Sequence, residues 1–182
     1  MAPPLPVSSI NDDGSQRPWR VLLKVERLAR CRRHYRAEIM TLLHHLLDDR
    51  AARTPDTAAV RRREQTWTYA QLHARSVEYA HGLVAAGVRR GDRVVALGEH
   101  EPETVAMLFA LSRIGAIQVV LGERTPQTRL ARIIEDARPV LAVTERPIPG
   151  CRSVRFSELT GRTSLLPPEG ISADPVGIIY TS

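Results

Sequence analysis

The feature that most constrains the fold is a series of short apolar runs separated by helical patterns. Each run is too short to be a helix, and its apolar residues are continuous rather than alternating, which is typical of strands buried on both faces. The runs cover residues 93–97, 116–121, 140–144 and 176–180. Strands of this kind, connected by helices, form parallel sheets that carry helices on both faces. The chain is therefore predicted to be an α/β protein with a mostly parallel sheet.

Helical patterns fill the intervals between these strands. Thr41 is placed to cap a first helix, whose apolar stripe ends before Pro55. Further helices are predicted at residues 69–86, 101–114 and 126–137, and two short strands at 57–63 and 65–68. Gly87 is expected to end the second helix in the left-handed conformation. A long surface loop over residues 146–175 is predicted to contain one strand-like piece, residues 153–156.

The charge of the chain is concentrated in one short segment. The net charge is +6, but residues 17–36 alone hold eight Arg and Lys side chains against a single Glu. Residues 1–16, rich in Pro, Ser, Asp and Gly, are predicted to be disordered. The spacing of Val21, Val25 and Leu28 is compatible with a basic helix within residues 18–39, although an extension without a structural role is favoured. We interpret residues 1–39 as a disordered basic arm and residues 40–182 as the folded part. Whether the arm belongs to the native protein is left open.

Composition excludes several classes of protein. No apolar run has the roughly 20 residues that a membrane span requires. Cys31 and Cys151 stand far apart without a CxxC partner, which argues against a disulfide framework or a zinc site and for reduced thiols. We therefore expect a cytoplasmic protein with no membrane contact and no metal-binding residues of its own.

The titratable residues form no motif that identifies catalytic chemistry. His44 and His45 are adjacent on a helix and face apart, so we interpret them as helix surface rather than a metal pair. His73 and His81 are interpreted as solvated or packed residues of the second helix. The run Glu99 to Glu101 follows a strand and precedes a helix, a position that catalytic residues can occupy, but a plain charged loop is favoured. No catalytic residue is assigned.

The last strand is the most suggestive element for function. It delivers two hydroxyl side chains, Thr181 and Ser182, at its carboxyl end. Ligands of α/β proteins bind at that end of the strands, and a glycine-rich turn follows when the ligand is a phosphate. Ile178 and Ile179 of this strand are expected to be exposed, with the strand edges unpaired.

Beyond the single elements, the order of segments resembles the adenylate-forming enzymes. This family comprises AMP-forming acyl-CoA ligases, adenylation domains of nonribosomal peptide synthetases and luciferases. Thr66–Leu72 is similar to its Thr-Tyr-x-x-Leu motif, and residues 87–94 to Gly-Val-x-x-Gly-Asp-x-Val. Residues 111–121 resemble its second motif, and Arg129 to Thr144, including Asp136 and Ala137, its next helix–strand unit. Residues 175–182 resemble the first half of Tyr-Thr-Ser-Gly-Thr-Thr-Gly-x-Pro-Lys-Gly.

The resemblance implies a function for the parent protein. A carboxylic acid would react with ATP to form an acyl-adenylate, with Mg²⁺ as cofactor, and the acyl group would pass to the thiol of CoA or of a phosphopantetheine arm. The implied partners are a small carboxylic acid and an acyl or peptidyl carrier protein, with no nucleic acid. Thr181 and Ser182 would begin the ATP phosphate loop. The resemblance predicts a fragment of a ligase that is inactive by itself.

Two departures from the family pattern concern the substrate and the active site. Gly122 stands where the family has Asp or Asn after its second motif, and Glu99 and His100 precede a Glu-Pro-Glu in place of the usual Pro-Asn-x-Pro-Glu. The glycines and lysine of the phosphate loop do not occur among the 182 residues. A non-catalytic α/β interaction domain, with a basic arm that binds nucleic acid, is the alternative.

Overall fold

A computed structural model describes residues 20–22, 42–62, 64–97, 102–122, 124–159 and 174–180. Its main feature is a six-stranded sheet with the strand order β1-β8-β5-β4-β6-β7. The strands of the sheet are β1 (Arg20–Leu22), β4 (Arg93–Ala96), β5 (Ile117–Val120), β6 (Leu141–Val143), β7 (Ser153–Val154) and β8 (Gly177–Tyr180). A separate hairpin pairs β2 (Ala58–Arg62) with β3 (Gln65–Thr68). The helices are α1 (Leu43–Arg53), α2 (Tyr69–Ala85), α3 (Pro102–Ile114) and α4 (Gln127–Ala137).

Parallel pairing dominates the sheet, as predicted. Strand β4 lies between β5 and β6 and is parallel to both, and β6–β7 and β5–β8 are parallel pairs as well. The exception is β1, which pairs antiparallel with β8 and sets Val21 opposite Ile179. The helix considered within residues 18–39 is therefore wrong at residues 20–22, because the backbone there extends along the edge of the sheet. The remainder of that range lies outside the described residues.

Helix α2 shows why the local predictions were accurate. Thr68 caps it: the Gln71 N–H donates to Thr68 Oγ1 at 3.3 Å, and the Thr68 N–H donates to Gln71 Oε1 at 2.9 Å. This reciprocal pair is the capping box that a Thr-x-x-Gln sequence favours. The helix ends where Gly87 adopts φ +89, a conformation that glycine reaches without strain. The start of α1 differs from the prediction, since Leu42 is its N-terminal flanking residue and Thr41 lies outside the described residues.

Helices cover both faces of the sheet, which confirms the predicted arrangement. One core contains α1, α2 and α3, together with Val94, Ala96, Leu141 and Val143 of the sheet. The other contains α4, together with Val95, Val119 and Ala142. Successive strand residues point to opposite faces, so β4 and β6 each contribute to both cores. Ile178 is only 1% exposed and Ile179 is half-buried, so the expectation that both would be exposed is wrong for Ile178. The expectation of unpaired strand edges is wrong as well, because β8 pairs with β5 on one side and with β1 on the other.

Candidate functional site

The carboxyl ends of four parallel strands meet at one edge of the sheet. These ends are Ala96, Val120, Val143 and Tyr180. In open α/β sheets this edge is where ligands bind. The predicted phosphate-loop residues Thr181 and Ser182 follow Tyr180 directly but lie outside the described residues, as do Glu99, His100 and Glu101 after β4.

Helix α4 contacts the last residue of β8 in two places. Arg129 Nη2 donates a hydrogen bond to the carbonyl oxygen of Tyr180 at 3.2 Å. The phenol of Tyr180 donates to Asp136 Oδ2 at 2.5 Å. Arg129 and Asp136 are seven residues apart, which is about two helical turns, so they lie on the same side of α4. A single tyrosine is thus bound at its backbone and at its hydroxyl by one helix.

From the sequence, Arg129 and Asp136 were recognised only as part of a helix–strand segment that resembles the adenylate-forming enzymes, and neither was assigned a role. A signal was present, because a spacing of seven residues on a helix places two polar side chains on one flank. Their common partner could not be read from the sequence, since Tyr180 lies 51 residues from Arg129 and 44 from Asp136.

The contact of β8 with β5 is close at the start of the strand. Gly177 lies opposite Gln118, and a Cβ atom at position 177 would be 3.4 Å from the Gln118 carbonyl oxygen. Gln118 is 4% exposed, and its Oε1 has no hydrogen-bond partner among the described residues. A Cβ atom at this distance would be in ordinary van der Waals contact, so the two strands pack closely here without excluding a small side chain.

Hydroxyl groups occur near the carboxyl edge after β4, β5 and β6. Thr125 Oγ1 donates to the Gly122 carbonyl at 2.6 Å, and Thr144 Oγ1 donates to the Arg146 carbonyl at 3.1 Å. Both hydroxyls thus stabilise local turns. Thr104 Oγ1, in the first turn of α3, is buried without a hydrogen-bond partner in the described part of the chain.

The histidines of the described residues lie on α1 and α2. His44 is 1% exposed, so its interpretation as helix surface is wrong. Its ring Nδ1 lies 3.0 Å from Ser112 Oγ, and its backbone N–H donates to that oxygen at 3.3 Å. His73 Nε2 is 3.2 Å from Asp48 Oδ1. Across the described ranges, no group of three His, Cys, Asp or Glu side chains could hold a metal ion.

A polar cluster joins the three helices on the same face of the sheet. Arg113, whose side chain is 10% exposed, pairs with Asp48 and donates from Nε to Ser76 Oγ at 3.3 Å. Arg113 lies in the last turn of α3, which leads into the amino end of β5. This cluster is therefore far from the carboxyl edge and has a structural role.

The remaining electrostatic features also lie away from that edge. Burial raises the pKa of the Cys151 thiol, which keeps the thiol protonated at neutral pH and makes it a weak nucleophile. The carboxylate of Asp174, just before β8, raises the pKa of Arg90 through a two-point hydrogen bond with both distances at 3.0 Å. In the described part of the chain, no helix is both long and apolar enough to cross a membrane.

Comparisons with known proteins agree with this geometry. A family model described as AMP-binding enzyme matches residues 47–182. The chain is 30% identical over 148 residues to a 2-succinylbenzoate–CoA ligase of Bacillus mycoides, an alignment that covers 79% of this chain and 31% of the ligase. It is 41% identical over 102 residues to a hybrid PKS–NRPS synthetase of Thermothelomyces thermophilus, covering 55% of this chain and 2% of that protein.

Solved structures show the same relationship. VinN in complex with 3-methylaspartate superposes with a TM-score of 0.69 at 28% sequence identity, covering 78% of this chain and 44% of VinN. The chain thus spans less than a third of the ligase and less than half of the solved protein.

Proposed function

We propose a function on one premise: the chain belongs to the family of AMP-binding enzymes. The protein to which it contributes is proposed to activate a carboxylic acid. A carboxylate oxygen attacks the α-phosphorus of ATP, the bond from that phosphorus to the oxygen bridging the β-phosphate breaks, and pyrophosphate leaves with the bonding electrons. The acyl-adenylate then acylates a thiol, and AMP leaves.

The observation that carries this proposal is the end of β8. The strand lies inside the parallel sheet beside β5, and its last residue, Tyr180, is bound by α4. We propose that the next two residues, Thr181 and Ser182, begin the loop that binds the phosphates of ATP. Backbone N–H groups and hydroxyls suit this task, because charge develops on phosphate oxygens as the reaction proceeds.

The described residues provide only part of such a site. The single lysine of the sequence, Lys24, is far from the phosphate motif in the chain, so the 182 residues do not themselves supply the lysine of the family loop. Mg²⁺ would be held chiefly by the phosphates of ATP. Because the described residues contain no group that could hold a metal ion, no step is assigned to one. We propose that residues 40–182 contribute the parallel strands and the end of β8, and that residues 1–39, which add only the edge strand β1 beside β8, are not needed for binding ATP.

The acceptor is proposed to be a phosphopantetheine thiol. This group is common to CoA and to carrier proteins, and the relatives named above include both a CoA ligase and a multidomain synthetase. The non-catalytic alternative is not favoured, since the family match and both relatives are enzymes. The substrate is proposed only at the level of a small carboxylic acid.

The test is ATP–pyrophosphate exchange. The full-length product of the gene that encodes this chain is incubated with ATP, MgCl₂, labelled pyrophosphate and a panel of aliphatic, aromatic and amino acids. We expect label to enter ATP with at least one acid, and we expect none with residues 1–182 alone. A folded full-length product that binds ATP but exchanges with no acid would contradict adenylate formation. Exchange catalysed by purified residues 1–182 would contradict the assignment of these residues as an incomplete site.

A further inference from the structure

The last residue of β8 is held by side chains as well as by the sheet. The β5–β8 ladder runs from Gln118 opposite Gly177 to Val120 opposite Ile179, so Tyr180 lies one residue beyond it. On that side the Tyr180 carbonyl accepts a hydrogen bond from Arg129 instead. The half-buried Tyr180 carbonyl has no β5 residue opposite it, and a buried carbonyl without a hydrogen-bond donor would be destabilising. Arg129 thus extends the hold on the β5 side of β8 by one residue, while on the other side Tyr180 lies opposite Arg20 of β1.

The second contact fixes the side chain of the same residue. The hydroxyl of Tyr180 donates to Asp136 at 2.5 Å. The carbonyl and the hydroxyl lie at opposite ends of a tyrosine, and the two α4 side chains that bind them are about two turns apart. Because both ends are bound to one helix, the residue can neither rotate about its Cα–Cβ bond nor slide along the strand without breaking a bond. Both bonds involve a charged side chain, which strengthens a hydrogen bond, although water screens the charge of the exposed Asp136 and reduces this gain.

The helix that provides these contacts is itself fixed to the sheet. Its inner face, consisting of Leu130, Ile133, Ile134 and Ala137, is buried against Val95, Val119 and Ala142. Functional groups are positioned most accurately by side chains on such rigid elements. The sheet and α4 therefore form one body, and the position of Tyr180 relative to β4, β5 and β6 is determined by that body.

We propose that Arg129 and Asp136 are positioning residues for ATP: they hold Tyr180 at both ends and thereby set the point from which the phosphate loop leaves β8. The proposal rests on the proposed function, because it concerns the loop that Thr181 and Ser182 begin. Reactions that depend on alignment are sensitive to small displacements, and a shift of about 1 Å can lower the rate about a hundredfold. Neither side chain needs to touch ATP for the effect.

The first experiment compares variants of the full-length protein in ATP–pyrophosphate exchange. Asp136→Asn and Tyr180→Phe each remove the charge-assisted bond, and each is expected to raise the KM for ATP roughly three- to tenfold. The KM for the carboxylic acid is expected to stay within about twofold. Since both variants remove the same bond, the double variant is expected to be no worse than the poorer single variant. A general loss of stability would not produce this selective and non-additive pattern.

Arg129 is tested with two substitutions that separate position from charge. Arg129→Ala is expected to raise the KM for ATP about tenfold, and Arg129→Lys is expected to recover about half of that loss on a logarithmic scale, because lysine offers a donor without the planar fork. Full recovery by lysine, together with a salt dependence that the other variants lack, would show that Arg129 acts through its charge and would overturn its positioning role.

Exposed neighbours on α4 provide matched controls. Arg132→Ala removes an exposed arginine and Glu135→Gln neutralises an exposed acid beside Asp136, and both are expected to leave every KM unchanged. If Asp136→Asn and Tyr180→Phe behave as these controls do, the proposal is wrong.

A second measurement does not depend on activity. Hydrogen exchange of residues 1–182 is followed by mass spectrometry on peptides that cover residues 174–182 and 93–97. Asp136→Asn and Arg129→Ala are expected to accelerate exchange in the first peptide about tenfold and to leave the second unchanged. Equal protection of the first peptide in all variants would contradict the proposal. If full-length wild type shows no exchange of pyrophosphate while this protection pattern holds, the proposed function fails and the hold on Tyr180 stands.

Discussion

Replacement of Gly82 by alanine is expected to destabilise the protein, against the rule for helices. Gly82 lies inside α2, where glycine is about 1 kcal/mol less favourable than alanine. The sequence alone would therefore predict that Gly82→Ala is stabilising. In the structure, however, a Cβ atom at this position would lie 2.7 Å from the carbonyl carbon and 2.7 Å from the carbonyl oxygen of Leu159.

The size of the effect follows from what the new methyl group meets. Carbon atoms in contact are normally about 3.5–4.0 Å apart, so the segment near Leu159 would have to move by about 1 Å. Leu159 is 2% exposed, and the ring of Phe156 in the preceding turn lies 5.9 Å from that of Tyr79. Because the opposing atoms are backbone, no change of rotamer relieves the contact. Overpacking costs about 1–3 kcal/mol, and a contact with backbone atoms that cannot change rotamer belongs to the upper half of that range, about 2–3 kcal/mol. Subtracting the gain of about 1 kcal/mol in helix propensity leaves a net loss of about 1–2 kcal/mol.

The assay is urea unfolding of residues 1–182, followed by far-ultraviolet circular dichroism. Gly82→Ala is expected to lower the free energy of unfolding by about 1–2 kcal/mol, which corresponds to a decrease of roughly 3–8 °C in Tm. Ala74→Gly, at an exposed position inside the same helix, is the matched control and measures the propensity alone, with an expected loss of about 1 kcal/mol. If the alanine variant at position 82 were as stable as wild type or more stable, the packing of Leu159 on α2 would be refuted.

Two further variants test buried polar groups. Arg113→Ala leaves Asp48 without its main partner and is expected to lower the free energy of unfolding by about 1–3 kcal/mol. The control is Arg53→Ala, from a pair whose arginine side chain is 70% exposed, and it is expected to change this free energy by less than about 0.5 kcal/mol. Equal effects of the two variants in urea unfolding would contradict the role of the cluster. Burial raises the pKa of Tyr79 to about 12 from 10.0, so the phenol loses its proton more readily in the unfolded chain than in the folded one. The free energy of unfolding is therefore expected to fall as the pH rises from 10 to 12. Tyr79→Phe should reduce this fall in unfolding curves recorded at pH 9, 10 and 11.

The elements that could be predicted from the sequence are those determined by nearby residues. Helix α2 was placed to within one residue at each end, because Thr68 and Gln71 form a capping box and Gly87 ends the helix. The parallel strands were recognised because burial on both faces requires continuous apolar runs. These signals act over a few residues, so a single sequence is enough to read them.

The features that sequence reasoning missed depend on partners distant in the chain. His44 was interpreted as a surface residue, but it is buried and hydrogen-bonded to the hydroxyl of Ser112, which lies 68 residues away in the chain. Strand β1 was missed because the spacing of Val21 matched a helix, whereas pairing with β8 decides its conformation. Nothing near Gly82 in sequence indicates Leu159. Periodicity reports which face of an element is buried, but not which residue covers it.

Contacts at the two ends of β8 determine its register against β5, and this register positions the candidate site. A slip of one residue along β5 would exchange the faces of the strand and is excluded by the buried Ile178. A slip of two residues keeps the faces, so burial alone does not prevent it. It is opposed by two contacts that depend on position: Asp174 with Arg90 before the strand, and Tyr180 with α4 after it. A two-residue slip would break both of them. The register of β8 is thus determined at its ends, and with it the position from which any phosphate loop must begin.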